Sequence, residues 1–269
     1  MVPVLQDRAA NADTPWQERP VLPELINYLS RDRAADSNGP RPVARTKEKG
    51  GKKSWWSWGR DKKTKRSKLP PIRSADSTTL SAVREIWQRI ERWLETNAPP
   101  RVLRGLAPPA SEEDIANAED ELGYRFPADF RASLFIHDGE RKDVGSIKGL
   151  RLNSLKELLV DWRTMEELLR DGEFSQFGDE VGPTGLKPGH WNRGWVPVAS
   201  DGGGNSYSMD LDPGGAGTAG QMFFFDHEQG PGTVEAKSLL EWLGHYADEL
   251  EAGRVRVRAG GLASAEDDE

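Results

Sequence analysis

Apolar residues recur every three or four positions along several stretches of the chain. Leu80, Val83, Ile86, Trp87, Ile90, Trp93 and Leu94 form the first such stripe, which predicts an amphipathic helix with an aromatic-rich buried face. Ser77, Thr78 or Thr79 can cap it, and Asn97-Ala-Pro-Pro100 stops it, because proline cannot continue the backbone bonds. A second helix follows Ser111, with Ile115, Ala118 and Leu122 inward. Ser111 and Asp114 have capping-box spacing, Glu112, Glu113 and Asp114 meet the positive end of the helix dipole, and Gly123 supplies a left-handed stop. A third helix starts at Pro127, buries Phe130, Leu134 and Phe135, and ends at His137-Asp-Gly139. Ser154 caps a longer helix containing Leu155, Leu158, Leu159, Trp162, Met165, Leu168 and Leu169. Thr233 to Glu251 is the last helix, turning Leu239, Leu240, Trp242, Leu243, Tyr246 and Leu250 inward.

Elsewhere the period is two. Gly145 to Leu152 alternates apolar and polar residues, as a half-buried strand does. Trp195 to Ser200, Ser206 to Asp212 and Gly220 to Glu228 are three further β-type runs. They are separated by Asp201-Gly-Gly-Gly-Asn205 and a second glycine-rich turn, neither of which a helix could contain. Residues 171 to 193, rich in Gly and Pro, read as a long loop, and Arg254 to Arg258 as a short edge strand. The pattern predicts an α+β fold: a mainly antiparallel β-sheet packed against about five helices, spanning residues 76–258. Residues 1–75 are expected to be a disordered tail with one short helical turn around Leu25, Ile26 and Leu29, and residues 259–269 a disordered acidic tail.

Composition sharpens this division. Of the 269 residues, 30% are charged and 36% hydrophobic, a polarity that fits a chain folded only in part. The net charge of -7 hides two opposed regions. Residues 41–73 hold 13 Lys/Arg against 2 Asp/Glu, while the remainder holds 24 against 42. An acidic folded domain repels nucleic acid and attracts basic proteins. No cysteine is present, so disulfides and thiolate metal sites are excluded. No secretory leader and no apolar run near the ~20 residues of a membrane span is visible, and the expected location is cytoplasmic.

The basic region carries its own motif. Trp55, Trp56 and Trp58 sit among Lys62, Lys63, Lys65 and Arg66. Indoles favour a membrane interface, and each lysine is drawn to anionic lipid by roughly 1 kcal/mol. The same residues could stack on bases and contact phosphates, although nucleic acid is the less favoured partner; a solvated basic linker is the plain alternative.

Catalytic motifs are missing. His137, His190, His227 and His245 fall in no His-Glu-x-x-His, and neither a Gly-x-Ser-x-Gly elbow nor a phosphate-binding loop ending in Lys-Ser/Thr occurs. The strongest metal-like grouping is Asp201, Asp210, Asp212, Asp226, His227 and Glu228. Asp210 and Asp212 flank Leu211, so an exposed acidic strand face explains them more simply, and the spacing of a Ca²⁺ loop is lacking. No metal or other cofactor is expected, and the chain is read as non-enzymatic.

Three segments together resemble the SMI1/KNR4 (SUKH) family. They are Val83 to Leu94, then Ala110 to Phe130 continuing into Leu134-Phe-Ile-His-Asp-Gly139, and finally Gly194-Trp-Val-Pro-Val-Ala with Gly204-Asn, Asp210-Leu-Asp-Pro213, Gly220-Gln and Phe225-Asp-His227. The match runs in order from about Leu80 to Leu250, and Asn205 stands where the family commonly has Asp. The resemblance implies an α+β fold and a protein-binding role with no family-wide catalytic residues. Bacterial members are commonly immunity proteins that neutralise toxins; fungal members regulate cell-wall glucan synthesis and signalling. The leading expectation is therefore an immunity-type protein binding a toxin, whose basic surface would suit an acidic domain. The alternative is a regulatory or scaffold protein of cell-wall assembly, held near an anionic membrane by residues 41–73. Candidate partner contacts, expected to be exposed, are Asp138, Glu140, Asp201, Asn205, Asp210, Asp212 and Glu228. The sequence does not fix the oligomeric state.

Overall fold

The computed structural model describes residues 77–264, apart from 142–143, 178–181 and 259–260. The N-terminal segment, including residues 23–29, Trp55, Trp56, Trp58, Lys62, Lys63, Lys65 and Arg66, lies outside the described residues, as do residues 265–269. Among the described residues are six α-helices: α1 (Ser77–Asn97), α2 (Pro100–Gly105), α3 (Glu112–Leu122), α4 (Ala128–Leu134), α5 (Leu155–Asp171) and α6 (Leu239–Glu251). An antiparallel sheet runs β1 (Arg151–Leu152), β2 (Trp195–Ser200), β3 (Ser206–Asp210), β4 (Gln221–Asp226) and β5 (Gly230–Ala236), in that spatial order. A separate hairpin pairs β6 (Val255–Arg258) with β7 (Gly261–Ser264), which carries the fold past residue 258.

The helix ends follow their local chemistry. Ser111 accepts the Asp114 amide, and Gly123 closes α3 at φ 81°. Ser154 accepts the Glu157 amide while Glu157 returns a bond from the Ser154 amide, a complete capping box on α5. Pro127 is the N-cap of α4 rather than its first residue. Ser77, Thr78 and Thr79 lie inside the first turn of α1, not ahead of it, and the chain re-enters a helix at Pro100 as α2, which the proline pattern had concealed.

Two stretches take a different secondary structure from the one their sequence predicts. Only Arg151–Leu152 of the stretch 145–152 pairs as a strand. Gly145 at φ 60°, Lys148 at φ 49° and Gly149 at φ 81° turn the chain instead, and Ile147 bridges to Leu150. Thr233 to Ala236 belongs to β5, and α6 starts only after Ser238, whose side chain accepts the Glu241 amide. The run Thr-Val-Glu-Ala suits either state, and pairing with β4 decides it.

Helices cover both faces of the sheet. On one face α6, with α1 and α4 beside it, buries Trp87, Ile90, Phe130, Leu239, Trp242 and Leu243 over Val196, Met209 and Met222. The Trp242 ring meets Tyr207 with centroids 5.0 Å apart. On the other face α5 crosses β2, and the Trp162 indole donates to the Arg193 carbonyl at 2.9 Å. Beside it Trp191, Trp195, Phe223 and Phe225 pack edge to face. Glu119, fully buried in α3, is held by Arg131 at 2.7 Å, Arg125 at 2.9 Å and the Phe126 amide at 3.0 Å, which ties α3 to α4.

Candidate functional site

The glycine-rich turn between β2 and β3 is organised by Asp201. Its carboxylate accepts the Gly203 amide at 2.6 Å, the Asn205 amide at 3.1 Å and the Asn205 side-chain amide at 2.8 Å. It is a self-satisfied turn and not a phosphate cradle. With its nitrogen committed to Asp201, Asn205 presents its oxygen to His227, accepting from the backbone amide at 3.1 Å and from Nδ1 at 2.8 Å. That assigns the His227 proton to Nδ1. His227 Nε2 is buried and lacks a hydrogen-bond partner among the described residues, and Glu228 Oε1 stands 4.0 Å away. His190 Nε2 donates to the His227 carbonyl at 3.0 Å, and its ring stacks on Phe177 at 3.8 Å. Burial lowers the His190 pKa. The cluster thus ties the β2–β3 turn, the β4–β5 turn and the loop at 190 together.

The remaining candidate acids serve loops in the same manner. Asp226 accepts the Glu228 and Gln229 amides at 2.9 and 3.0 Å. Asp210 accepts the Asp212 amide and the Gln221 side chain, both at 2.9 Å, and burial raises its pKa. Asp138, half-buried and with its pKa raised by burial, accepts the Leu155 amide at 2.8 Å at the start of α5. Glu140 accepts the Leu152 amide at 2.7 Å through Oε1, while Oε2 is buried without a partner; burial pushes its pKa up to about 7. Gly139 between them, at φ 72°, has no room for a side chain: a Cβ would lie 2.2 Å from the Ser154 amide nitrogen. The Leu134-Phe-Ile-His-Asp-Gly139 motif therefore joins the α4 exit to the α5 entry.

These positions correct the expected exposure. Glu140, Asn205 and Asp210 are 3%, 4% and 0% exposed, so they do not offer side chains to a partner. Asp210 ends β3, and Asp212 lies beyond it, bound to Lys187 at 2.6 Å and to the Tyr124 hydroxyl at 3.3 Å; the two do not share an exposed strand face. Asp138, Asp201, Asp212 and Glu228 keep partial exposure. The grouping weighed as a metal site is divided between opposite ends of β3, and among the described residues no three or more His, Asp or Glu could hold a metal ion together.

One polar layer escaped the sequence reading. Asn153, Asp161 and Ser200 interlock under α5: the Asn153 amide reaches Asp161 at 3.2 Å and the Pro197 carbonyl at 3.1 Å, and the Ser200 hydroxyl lies 2.9 Å from Asp161. Beside them a cavity of about 20 Å³, lined by Asp161, Met165, Trp191, Ser200 and Phe225, has room for a single water molecule. The available signal was an acid, Asp161, set within the Leu158–Trp162–Met165 stripe.

Residues 109–245, which run from the residues before α3 into α6, match the model of the SMI1 / KNR4 family (SUKH-1). This chain belongs to that family. It is 30% identical over 189 residues to the cell wall biosynthesis/cell cycle regulator smi1 of Schizosaccharomyces pombe, covering 65% of this chain and 37% of that protein. It is 26% identical over 204 residues to the glucan synthesis regulatory protein of Neurospora crassa, covering 62% and 38% respectively. Identity to the cell wall assembly regulator SMI1 of Saccharomyces cerevisiae is also 26% over 204 residues, covering 62% of this chain and 40% of that one. The matched stretch thus spans about two-fifths of these relatives. They are named as regulators and not as enzymes. Among the described residues no helix is long and apolar enough to cross a membrane.

Proposed function

We propose that this protein is a non-enzymatic regulator of the cell-wall-assembly type, acting on the cytoplasmic side by binding other proteins and held at an anionic membrane through residues 41–73. The observation that carries this reading is the match to relatives whose names describe regulation of cell wall or glucan synthesis. The site chemistry is in keeping with it, since the buried acids and His227 are occupied in holding turns and helix ends. The partly exposed Asp138, Asp201, Asp212 and Glu228, at the two ends of the sheet, stay the candidate partner contacts. The toxin-neutralising reading has the acidic charge of the domain in its favour, but none of the relatives above is named for such a role.

A chimera tests the proposal. The matched stretch of the fission-yeast relative is replaced by residues 77–264 of this chain and expressed in cells lacking that relative. Restored resistance to wall-perturbing dyes is the expected result. A chimera that accumulates normally and leaves the deletion phenotype intact would sink it. Sedimentation with phosphatidylserine vesicles tests the membrane contact of residues 41–73: binding unchanged after replacing Trp55, Trp56, Trp58, Lys62, Lys63, Lys65 and Arg66 would remove that part.

A further inference from the structure

The five-stranded sheet is closed at one edge and open at the other. At β1 the Leu152 amide donates to Glu140 Oε1 at 2.7 Å, and the Leu152 carbonyl accepts the Glu140 amide at 2.9 Å. Glu140 bridges on to Leu106, so that edge is covered by the chain itself. β5 ends the sheet on the other side. Its backbone pairs with β4, and among the described residues Gly232 to Ala236 bond to no other main chain. Gly232, Thr233 and Glu235 are exposed, and Val234 is half-buried. An edge strand offers a row of unpaired amides and carbonyls to any chain that can lie beside it.

Two devices limit where a strand can add. Pro231 has no amide hydrogen, and the register against β4 shifts between Phe225 and Phe223 and again between Phe223 and Met222. The usable edge is Gly232 to Ala236, about 17 Å of extended chain. Both of its faces hold apolar groups that are only partly covered. Val234 lies opposite Phe223 and shares its face. On the other face Phe224 is half-buried, with its ring 5.1 Å from Tyr207. Alternate side chains of a neighbouring strand would cover both. Charge selects the partner. From residue 228 to residue 241 the chain holds Glu228, Glu235 and Glu241, all at least partly exposed, against Lys237 alone. Lys148 also acts on Glu235, but it is bound to Glu249 at 3.5 Å. Two copies of β5 side by side would oppose these glutamates to one another, so the fitting occupant is a basic segment.

We propose that the outer edge of β5 docks an extended segment of a partner protein, with Lys or Arg alternating with β-branched residues, which adds to the sheet as a sixth strand. The inference rests on the protein-binding reading above and names the kind of contact and partner. Backbone bonds along Gly232 to Ala236 supply the attachment, and Glu228, Glu235 and Glu241 favour a basic segment over an acidic one.

The test follows backbone amide exchange in the full chain, with the peptide acetyl-Lys-Val-Lys-Val-Lys-Val-amide as probe. Without peptide, the outward amides among Gly232 to Ala236 should exchange fast, and saturating peptide should slow them about tenfold. The same peptide N-methylated along its backbone keeps its charge but lacks the donors, and it should lose this protection. Glu235→Gln, at an exposed position, should weaken binding of the unmodified peptide about two- to fivefold. Equal binding of the N-methylated peptide, with no amide of β5 slowed, would mean charge attraction alone and overturn the proposal. Slow exchange of every β5 amide without peptide would overturn it too, because the edge would already be covered by this chain or by a second copy. If the peptide does not bind while the chimera restores resistance to wall-perturbing dyes, the edge is refuted and the regulatory reading stands. Peptide protection of β5 alongside a failed chimera would support the edge and remove that reading.

Discussion

One face of the sheet meets α6 across Met209, Met222, Tyr207 and Phe224, with Trp242 set over them. The other meets α5 across Ser200, Ser206, Ser208 and Asp210, interleaved with Trp195, Phe223 and Phe225. The first face is held by non-directional apolar contact, so it answers to volume. The second answers to direction, because each buried polar group needs its own partner. The bulge of β2 makes the point. Register slips between Pro197 and Ala199, and Asn153 spans the gap, its backbone amide bonding the Val198 carbonyl at 2.9 Å and its side chain the Pro197 carbonyl at 3.1 Å. The lower face, under α5, thus pins the strand register at the β2 bulge, while the upper face, under α6, is apolar.

The contrast can be broken from either side. Trp242→Ala empties the apolar face and should cost about 3–5 kcal/mol, read as a lowered urea midpoint at unchanged slope. A loss under ~1 kcal/mol would mean that α6 is not the main cover. Glu140→Gln probes the buried carboxyl at the loop beside β1. Its folded-state pKa is raised from 4.5 to about 7, so the folded protein binds more protons than the unfolded chain between those values. Stability from this group is fully present below about 4.5 and is lost as pH rises toward 7. The variant lacks that slope, and the gap between it and the parent should widen by ~3 kcal/mol in its favour between pH 4.5 and 8; parallel denaturation profiles would refute the burial argument. Asn153→Ala leaves the Pro197 carbonyl at the β2 bulge and the Asp161 carboxylate each short of a donor and should cost about 1–3 kcal/mol. Its effect should be local, with faster amide exchange at β1 and β2 and little change at α6. Ser154→Ala removes one half of the α5 capping box, for a loss of about 1 kcal/mol in the thermal midpoint analysis.

Much of the upper face was legible from the pattern of apolar positions. Val83, Trp87, Ile90 and Leu94 recur at helical spacing and are all buried. The acids were not legible in the same way. Asp201 reads as a turn residue, and it is one, because its partners lie two and four positions on. Asp210 reads as exposed by alternation with Leu211, yet it is sealed by Gln221, which reaches it from the neighbouring strand. Asn205 is buried by His227, a residue 22 positions away. Residues 233–236 of β5 read as the start of a helix for the same kind of reason: their local propensity is ambiguous, and only the β4 neighbour resolves it.

What this sequence determined by itself are the features whose partners lie within about one helical turn. These are the caps at Ser111 and Ser154, the left-handed stops at Gly123 and Gly172, the Asp201 turn, and the apolar stripes of α1, α5 and α6. Tertiary structure alone decided which acids are buried and where β5 ends and α6 begins. Burial of a polar side chain depends on whether a distant segment brings it a hydrogen-bond partner, and that is a property of the packed chain.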